Sequence, residues 1–237
     1  MLVTRTPDKL ADLAGKGADV RAGDFADPGS LAAAFTGVDR LLIVSTDVVG
    51  QRLAGQVAAI DAAKAAGVRH VGYTSVTRPS ADNPAGVVPD HAATEQAMID
   101  SGLAWTSLRN DLYAHMQAAV IQQAPGSGGT LVTNGGDGRV AYVDRDDCAA
   151  AAVAVLTQDG HEGKAYEITG PEAVSAADLA AIGAELTRQP IEVVVVDDDA
   201  YRAGLVGAGL PEVFADLLAS FGTATRLGFL GEVTSAV

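Results

Sequence analysis

A buried strand that follows an alanine-rich helix is the feature that most limits how this chain can fold. The helix is predicted over Gln51–Ala66 and ends at Gly67, and an apolar run beginning at Val68 leads to Tyr73-Thr74-Ser75. Strands that are apolar on both faces are typical of parallel sheets covered by helices. Ligands of such sheets bind outside the carboxyl ends of the strands, so we expect the chemistry near Ser75.

Strand and helix patterns alternate on both sides of this pair, which predicts an α/β fold with right-handed crossovers. The other predicted strands are Leu2–Thr4, Ala18–Asp24, Asp39–Ser45, Leu103–Leu108, Lys164–Thr169 and Val193–Val196. The other predicted helices are Pro7–Leu13, Pro28–Phe35, Asp90–Asp100, Leu112–Gln123, Asp144–Leu156, Ser175–Thr187 and a final one from Glu212. A substrate loop is predicted around Pro79–Gly86, and a hairpin-like piece at Thr130–Thr133 lies between glycine-rich turns.

Charge and composition restrict the partners that this chain can bind. The 237 residues carry a formal net charge of −14, which disfavours nucleic acid and anionic membranes. A single cysteine, Cys148, excludes an internal disulfide, and neither a membrane span nor a signal peptide is predicted, so we expect a cytoplasmic protein. The acidic run Asp197-Asp198-Asp199 is typical of helix caps, and we predict no metal site.

Four segments occur in an order and spacing that resembles a known family. They are Arg21–Pro28, Gly37–Ser45, Ala65–Val68 with Tyr73-Thr74-Ser75, and Ser101-Gly102-Leu103 through Leu108-Arg109-Asn110. Together they resemble the NmrA-like branch of the atypical short-chain dehydrogenase/reductases, and within it the type-2 NAD(P)H:quinone oxidoreductases. The resemblance implies a Rossmann-like, doubly wound parallel sheet that forms an NAD(P)-binding domain over residues 1–125. Residues 126–237 would combine core elements with a small α/β substrate subdomain.

The family's first strand and its glycine turn, G-x-x-G-x-x-G, are not found in this sequence. Met1 corresponds to a point inside the family's second strand, so we expect an N-terminally truncated sheet that lacks a βα unit of about 25–30 residues. Three outcomes are possible: a misassigned or truncated start, direct pairing of Leu2–Thr4 with Arg40–Val44, or a strand supplied by another molecule. Direct pairing would displace the cofactor crevice.

The resemblance places cofactor-binding side chains after successive strands. Arg5 stands where the family reads the adenosine ribose, and a basic residue there favours the 2′-phosphate of NADPH over NADH. Asp24 and Phe25 stand where the family holds adenine, and Ser45 and Thr46 would bond ribose or pyrophosphate oxygens. The alternatives are a surface arginine, a turn residue at Asp24, and helix caps at Ser45 and Thr46. The implied cofactor set is completed by Tyr73, Thr74, Ser75 and Arg109.

Ser75, His91 and Asn110 are the residues that the resemblance implies for catalysis. Ser75 matches the usual serine of the wider superfamily, and His91 matches a catalytic lysine of related plant reductases. Val87 replaces the superfamily's tyrosine, so a tyrosine–lysine relay is excluded. With an ordinary pKa near ~6.5, His91 would give a proton or hydrogen bond to a developing oxyanion. A histidine that bonds nearby backbone at a helix start is the alternative.

Asn110 follows a strand beside Arg109, where the family lines the nicotinamide end of the cofactor. Tyr113 and His115 are the implied walls of a substrate pocket. These residues would otherwise form the first turn of a helix.

The resemblance implies an NADPH-dependent reductase that transfers hydride to quinones or related conjugated carbonyl compounds. Such an acceptor is already electrophilic, so the protein chiefly stacks the two rings and stabilises the oxyanion. The alternative is a non-catalytic NmrA-like redox sensor or regulator, or a degenerate paralogue, with weak or no cofactor binding. The expected partner is a small quinone-like molecule, and a homodimer is kept as an open option.

Overall fold

The computed structural model describes residues 1–236, apart from the side chains of Pro125 and Ser127. The strands are β1 (Leu2–Thr4), β2 (Val20–Ala22), β3 (Arg40–Ile43), β4 (His70–Val76), β5 (Ala104–Asn110), β6 (Thr130–Thr133), β7 (Arg139–Val140), β8 (Lys164–Ile168), β9 (Val174–Ser175) and β10 (Glu192–Val195). The α-helices are α1 (Ala11–Gly15), α2 (Pro28–Ala34), α3 (Arg52–Ala65), α4 (Val88–Asp100), α5 (Ala114–Gln123), α6 (Arg145–Thr157), α7 (Ala176–Thr187), α8 (Asp198–Gly207) and α9 (Glu212–Arg226). Within this range, no helix has both the length and the apolar character needed to span a membrane.

The main sheet has the strand order β3-β4-β5-β8, and the Rossmann-like α/β prediction is confirmed. β3 runs parallel to β4, with Arg40 opposite His70. β1 runs parallel to β2 in a separate two-stranded sheet, with Leu2 opposite Val20. The alternative in which Leu2–Thr4 pairs directly with Arg40–Val44 is therefore wrong, because β1 and β3 belong to different sheets.

One predicted supersecondary element is wrong. The hairpin-like piece at Thr130–Thr133 is instead β6, which pairs in parallel with β10 and places Thr130 opposite Glu192. β7 and β9 form a further two-stranded, antiparallel sheet. These partners lie far apart in the chain, and a local pattern of glycine-rich turns around a short apolar run carries no information about them.

The chain divides into two compact units that interleave along the sequence. The first unit comprises Met1–Thr74, Asp90–Ser107 and Val155–Lys164. The second comprises Ser75–Pro89, Leu108–Ala154 and the chain from Ala165 onward. The proposed division at residue 125 stays a prediction.

The core of the first unit is built from α2, α3, β3 and β4. Its buried apolar core includes Leu31, Phe35, Ile43, Ile60 and Val71. On α3 the buried positions Arg52, Gln56, Ala59, Ile60 and Ala63 recur at helical spacing, which explains why this segment forms a helix with one face covered. The helix ends before Gly67, which adopts a φ of 79° that favours glycine.

Helix caps explain where two helices of the second unit begin. The Ser175 side chain accepts the backbone N–H of Asp178, whose carboxylate in turn accepts the N–H of Ser175, as the Ser175 cap prediction requires. Asp197 accepts the N–H of Ala200 at the start of α8, a helix whose limits were not predicted from the sequence. The acidic run therefore caps a helix. Among the residues described, no group of three or more metal-ligating side chains is placed to hold a metal ion.

Candidate active site

Two hydroxyl side chains meet in the first unit, where β3 ends beside β4. The Ser45 N–H donates to Thr74 Oγ1 at 2.9 Å, and Thr74 Oγ1 lies 3.3 Å from Ser45 Oγ. Thr46 follows and is half-buried. The structure thus brings Ser45 and Thr74 together, as expected if both belong to one polar edge of the sheet.

The predicted adenosine-binding residues follow β1 and β2. Arg5 is exposed, and no hydrogen bond or ion pair to another described residue involves its guanidinium. Asp24 Oδ1 accepts the N–H of Ala26 at 2.9 Å, so its carboxylate forms a turn. Phe25 is half-buried, and α3 approaches it closely enough that a Cβ added at Gly55 would lie 2.9 Å from Phe25 Cβ. The turn that was offered as an alternative role for Asp24 is present.

A chain of polar contacts crosses the interior of the first unit from α3 to β4. The Tyr73 hydroxyl lies 2.8 Å from His91 Nδ1, and His91 Nε2 lies 3.2 Å from an Arg52 guanidinium nitrogen. Arg52 Nε in turn lies 3.3 Å from Asp90 Oδ2, which also accepts the N–H of Gly50. Arg52 is only 7% exposed and His91 only 5%, so this chain is shielded from water.

The contacts of His91 determine which of its ring nitrogens carries a proton. A guanidinium can only donate, so Nε2 accepts from Arg52 and the proton of the neutral ring lies on Nδ1, facing Tyr73. Burial, with the charge of Arg52, lowers the pKa of His91 to about 4, although the charges of Glu95 and Asp90 oppose this shift. Burial also raises the pKa of Tyr73. The ordinary pKa assumed for His91 in the sequence analysis is therefore wrong.

In the second unit, Ser75 and Asn110 carry buried polar atoms that lack partners among the described residues. Ser75 is 5% exposed and Asn110 is 6% exposed, and neither Ser75 Oγ nor Asn110 Oδ1 has a hydrogen bond there. Asn110 Nδ2 lies 3.5 Å from the Tyr113 hydroxyl, and the ring of Tyr113 stacks on that of His115 at 5.7 Å between centroids. Unpartnered buried polar atoms are costly, and they are common where a ligand completes the bonding.

Arg109 is held by an acidic residue that the sequence analysis did not identify. Its guanidinium lies 3.1 Å from Glu167 Oε1, and Glu167 Oε2 accepts the hydroxyl of Thr77 at 2.7 Å. Glu167 lies on β8, so its proximity could not be inferred from the neighbourhood of Arg109 in the sequence.

Arg52 and Asp90 were also missed, although one sequence signal could have identified the arginine. Arg52 and Gln56 are polar residues four apart on the apolar stripe of α3, where uncharged side chains are expected. Such a charge must find a buried partner. The sequence offers Asp90 and His91 side by side at the start of α4, which is the required combination.

Two groups of residues in the first unit have the chemistry that binding of NADPH would require. The unpartnered Arg5 guanidinium suits a 2′-phosphate, and the hydroxyls of Ser45, Thr46 and Thr74 suit ribose oxygens and neighbouring polar groups. The unpartnered atoms of Ser75 and Asn110 suit a polar ligand in the second unit. The role of each of these residues remains a prediction.

Comparisons with known proteins place this chain among NAD(P)H-binding proteins. A family model described as NAD(P)H-binding matches residues 1–159. Quinone oxidoreductase 2 of Escherichia coli (strain K12) is 39% identical over 220 residues, which cover 92% of this chain and 75% of that protein. An NAD(P)H azoreductase of Xenophilus azovorans is 32% identical over 91% of this chain and 75% of its own length. The crystal structure of the E. coli quinone oxidoreductase with NADPH superposes with a TM-score of 0.95 at 35% identity, covering 99% of this chain and 82% of that one.

Proposed function

The chain belongs to the NAD(P)H-binding family of NmrA-like atypical short-chain dehydrogenase/reductases, and on this premise we propose that it is an NADPH-dependent reductase of quinones or related conjugated carbonyl compounds. The match to the NADPH complex of the E. coli enzyme, over almost all of this chain, is the observation that carries the proposal. A reduced nicotinamide cofactor is also named for the azoreductase relative and for the E. coli structure.

In this proposal the first unit holds the cofactor. Arg5 pairs with the 2′-phosphate, Phe25 packs against the adenine, and Ser45, Thr46 and Thr74 bond ribose and adjacent oxygens. When bound, NADPH supplies the hydride. Arg5 decides the preference for NADPH because a guanidinium forms charge-assisted hydrogen bonds to a phosphate that NADH lacks.

Ser75 and Asn110 bond the acceptor in this proposal. The Ser75 hydroxyl has no partner among the described residues and is free to donate to an oxygen that becomes negative as hydride arrives. The Asn110 amide fixes a polar group by its own unpartnered atom, and Tyr113 and His115 provide ring surface for the acceptor.

His91 enters the proposal as a neutral hydrogen-bond donor. Because its Nε2 is occupied by Arg52, His91 keeps the Nδ1 proton directed to the Tyr73 hydroxyl. The His91 ring stays neutral and does not act as a cationic acid, because burial and the charge of Arg52 both oppose a second proton. His91 and Tyr73 therefore keep a fixed bonding pattern at the pH of the cell.

Cofactor binding and turnover test the proposal on the full chain. We expect calorimetric titration to detect NADPH, and we expect loss of reduced-nicotinamide absorbance when para-benzoquinone is added. No NADPH binding at millimolar concentration would reject the proposal. Binding without turnover of any quinone or conjugated carbonyl compound would favour the redox-sensor alternative.

Arg5→Ala tests the cofactor preference, with Lys16→Ala as a control that removes one exposed charge from the same unit. We expect Arg5→Ala to weaken NADPH binding by about tenfold or more and NADH binding much less, as loss of a charge-assisted contact requires. Lys16→Ala should leave both affinities close to those of the unchanged protein. Equal losses for the two cofactors would remove Arg5 from the phosphate site.

A further inference from the structure

A cleft of about 380 Å³ in the second unit lies beside the carboxyl ends of β4 and β5. The Thr77 N–H donates to the Asn110 carbonyl there, so the two strands end together. The cleft is lined by Arg78, Pro79, Ser80, Asp82, Arg109 and Glu167. Strand ends of this kind are where α/β sheets bind ligands.

Glu167 does not leave a free negative charge in the cleft, because three donors are directed at its carboxylate. Oε2 accepts the Thr77 hydroxyl at 2.7 Å and the Arg78 N–H at 3.1 Å, and Oε1 accepts from Arg109 at 3.1 Å. The carboxylate thus fixes the strand ends and the side chain of Arg109.

The backbone of Arg78 adopts a left-handed conformation. Its φ is 44°, in the left-handed region that side-chain-bearing residues rarely adopt, so the backbone is strained at this residue. The guanidinium carbon lies 5.1 Å from the centroid of the Phe229 ring, while the nearest hydrogen-bond acceptor, the Gly228 carbonyl, is 3.5 Å away. Stacking on Phe229 fixes the plane of the cation, and most of its N–H donors have no acceptor among the described residues.

The remaining carboxylate, Asp82, is exposed and bonds Ser80. Its charge attracts the Arg78 guanidinium, which is also exposed, and water and counter-ions weaken the effect of both charges. Because Arg109 is paired with Glu167, Arg78 is the cation of this cleft that can pair with a ligand, in a chain whose formal net charge is −14.

We propose that this cleft binds an anionic group, such as a carboxylate or sulfonate, carried by the electron acceptor, and that Arg78 is its principal donor. This inference rests on the proposed function, because it describes the acceptor of that reaction. Arg78 stacks through its face and donates through its edge, a geometry that suits planar anions better than a lysine would.

A matched pair of acceptors, naphthoquinone and its monosulfonate, tests the inference through the ratio of their kcat/KM values. We expect Arg78→Ala and Arg78→Gln to lower the sulfonate-to-parent ratio by about tenfold or more, because a charge-assisted hydrogen bond is lost. Arg188→Ala is the control, since Arg188 also has a positive φ, 57°, but does not line the cleft. The ratio should be unchanged in that variant.

A binding measurement separates this inference from the proposed function. Calorimetric titration with naphthalene sulfonate, which cannot be reduced, should show binding that weakens in Arg78→Gln, whereas inorganic phosphate should bind far less tightly. If neither acceptor is reduced by the unchanged protein, the proposed function fails. If both are reduced and the ratio does not respond to Arg78, or if KM for NADPH rises instead, the inference fails alone.

Discussion

Arg52 places a positive charge inside the first unit, and its neighbours make that charge tolerable. Asp90 supplies the opposite charge and His91 supplies a neutral acceptor, so the guanidinium has partners on two sides. A buried ion pair of this kind contributes little net stability, but removal of one partner is strongly destabilising. The arrangement therefore specifies the protonation state of His91 more than it stabilises the fold.

We expect the free energy of unfolding to fall as the pH is lowered from about 6.5 to about 4. The pKa of His91 in the folded chain, about 4, lies below its unfolded value, so the unfolded state binds more protons in this window and gains stability from them. The loss from this one group reaches as much as about 3 kcal/mol. Urea unfolding at several pH values measures it, and His91→Gln should flatten the profile. The same change at exposed His115 should leave the profile unaltered.

Asp111 should produce the opposite dependence. Burial and the charge of Glu167 raise the pKa of the Asp111 carboxyl to about 8, although the hydrogen bond from the Leu112 N–H lowers it. The Asp111 Oδ2 atom has no partner among the described residues. A raised pKa means that stability present at acid pH is lost as the pH rises from about 4 to about 8. Asp111→Asn should be more stable than the unchanged chain at pH 8, by an advantage that grows at up to about 1.4 kcal/mol per pH unit. A constant advantage at every pH would contradict this, and Asp12→Asn is an exposed control.

The positions of candidate site residues could be predicted from the sequence where a side chain lies at the end of a strand. Ser45, Ser75 and Asn110 lie at the strand ends that the alternating pattern indicated. The bonding of His91 could not be predicted, because it depends on how α3 and α4 face each other in space. Elements that are far apart in sequence supply Arg52, and no local signal fixes such a meeting.

Elements with their own start and stop signals could be predicted within a few residues. α2 begins at Pro28 as expected, and α7 begins after its Ser175 cap. The pairing of β6 with β10 could not be predicted, because a four-residue strand carries too little pattern to choose a partner. The backbone hydrogen bonds of a strand go to a partner strand elsewhere in the chain, whereas those of a helix form within the helical segment itself.

Two helical glycines in the second unit provide a test of packing at the scale of elements. A Cβ at Gly183 in α7 would lie 2.7 Å from side-chain atoms of both Ile121 and Ile191, whereas a Cβ at Gly204 in α8 would meet nothing within 4 Å. We expect Gly183→Ala to destabilise the chain by about 1–3 kcal/mol through overpacking. Gly204→Ala should stabilise it by about 0.5–1 kcal/mol because alanine favours the helix. Thermal unfolding measures both, and equal shifts of the same sign would contradict the assignment of α7 as a tightly packed helix.

At the scale of the whole molecule, the two compact units share strands. β4 passes from the first unit to the second between Thr74 and Ser75, and β5 does so between Ser107 and Leu108. A division that cuts through strands differs from a division at a flexible linker, where few contacts cross the boundary. The family and the fold class could be predicted because four ordered segments carry them, whereas this interleaving depends on long-range packing.

We expect the two units to unfold in one transition. Trp105, the single tryptophan, lies on β5 in the first unit, and Leu131 is buried on β6 in the second. Leu131→Ala removes buried apolar surface worth about 2–5 kcal/mol. It should lower the unfolding midpoint seen by Trp105 fluorescence as much as the midpoint seen by circular dichroism. A tryptophan transition that stays in place would show that the units unfold independently.

The strand order leaves β3 at the margin of the main sheet, hydrogen-bonded to β4 on one side, and Val44 just beyond its end is 60% exposed. Unprotected strand margins of this kind can recruit a strand from another molecule and begin aggregation. Concentrated solutions of this protein should therefore scatter more light with time, and Val44→Lys should delay that rise because a charged margin repels its copies. The edge of β3 is therefore one feature to consider when the protein is concentrated for crystallisation or spectroscopy.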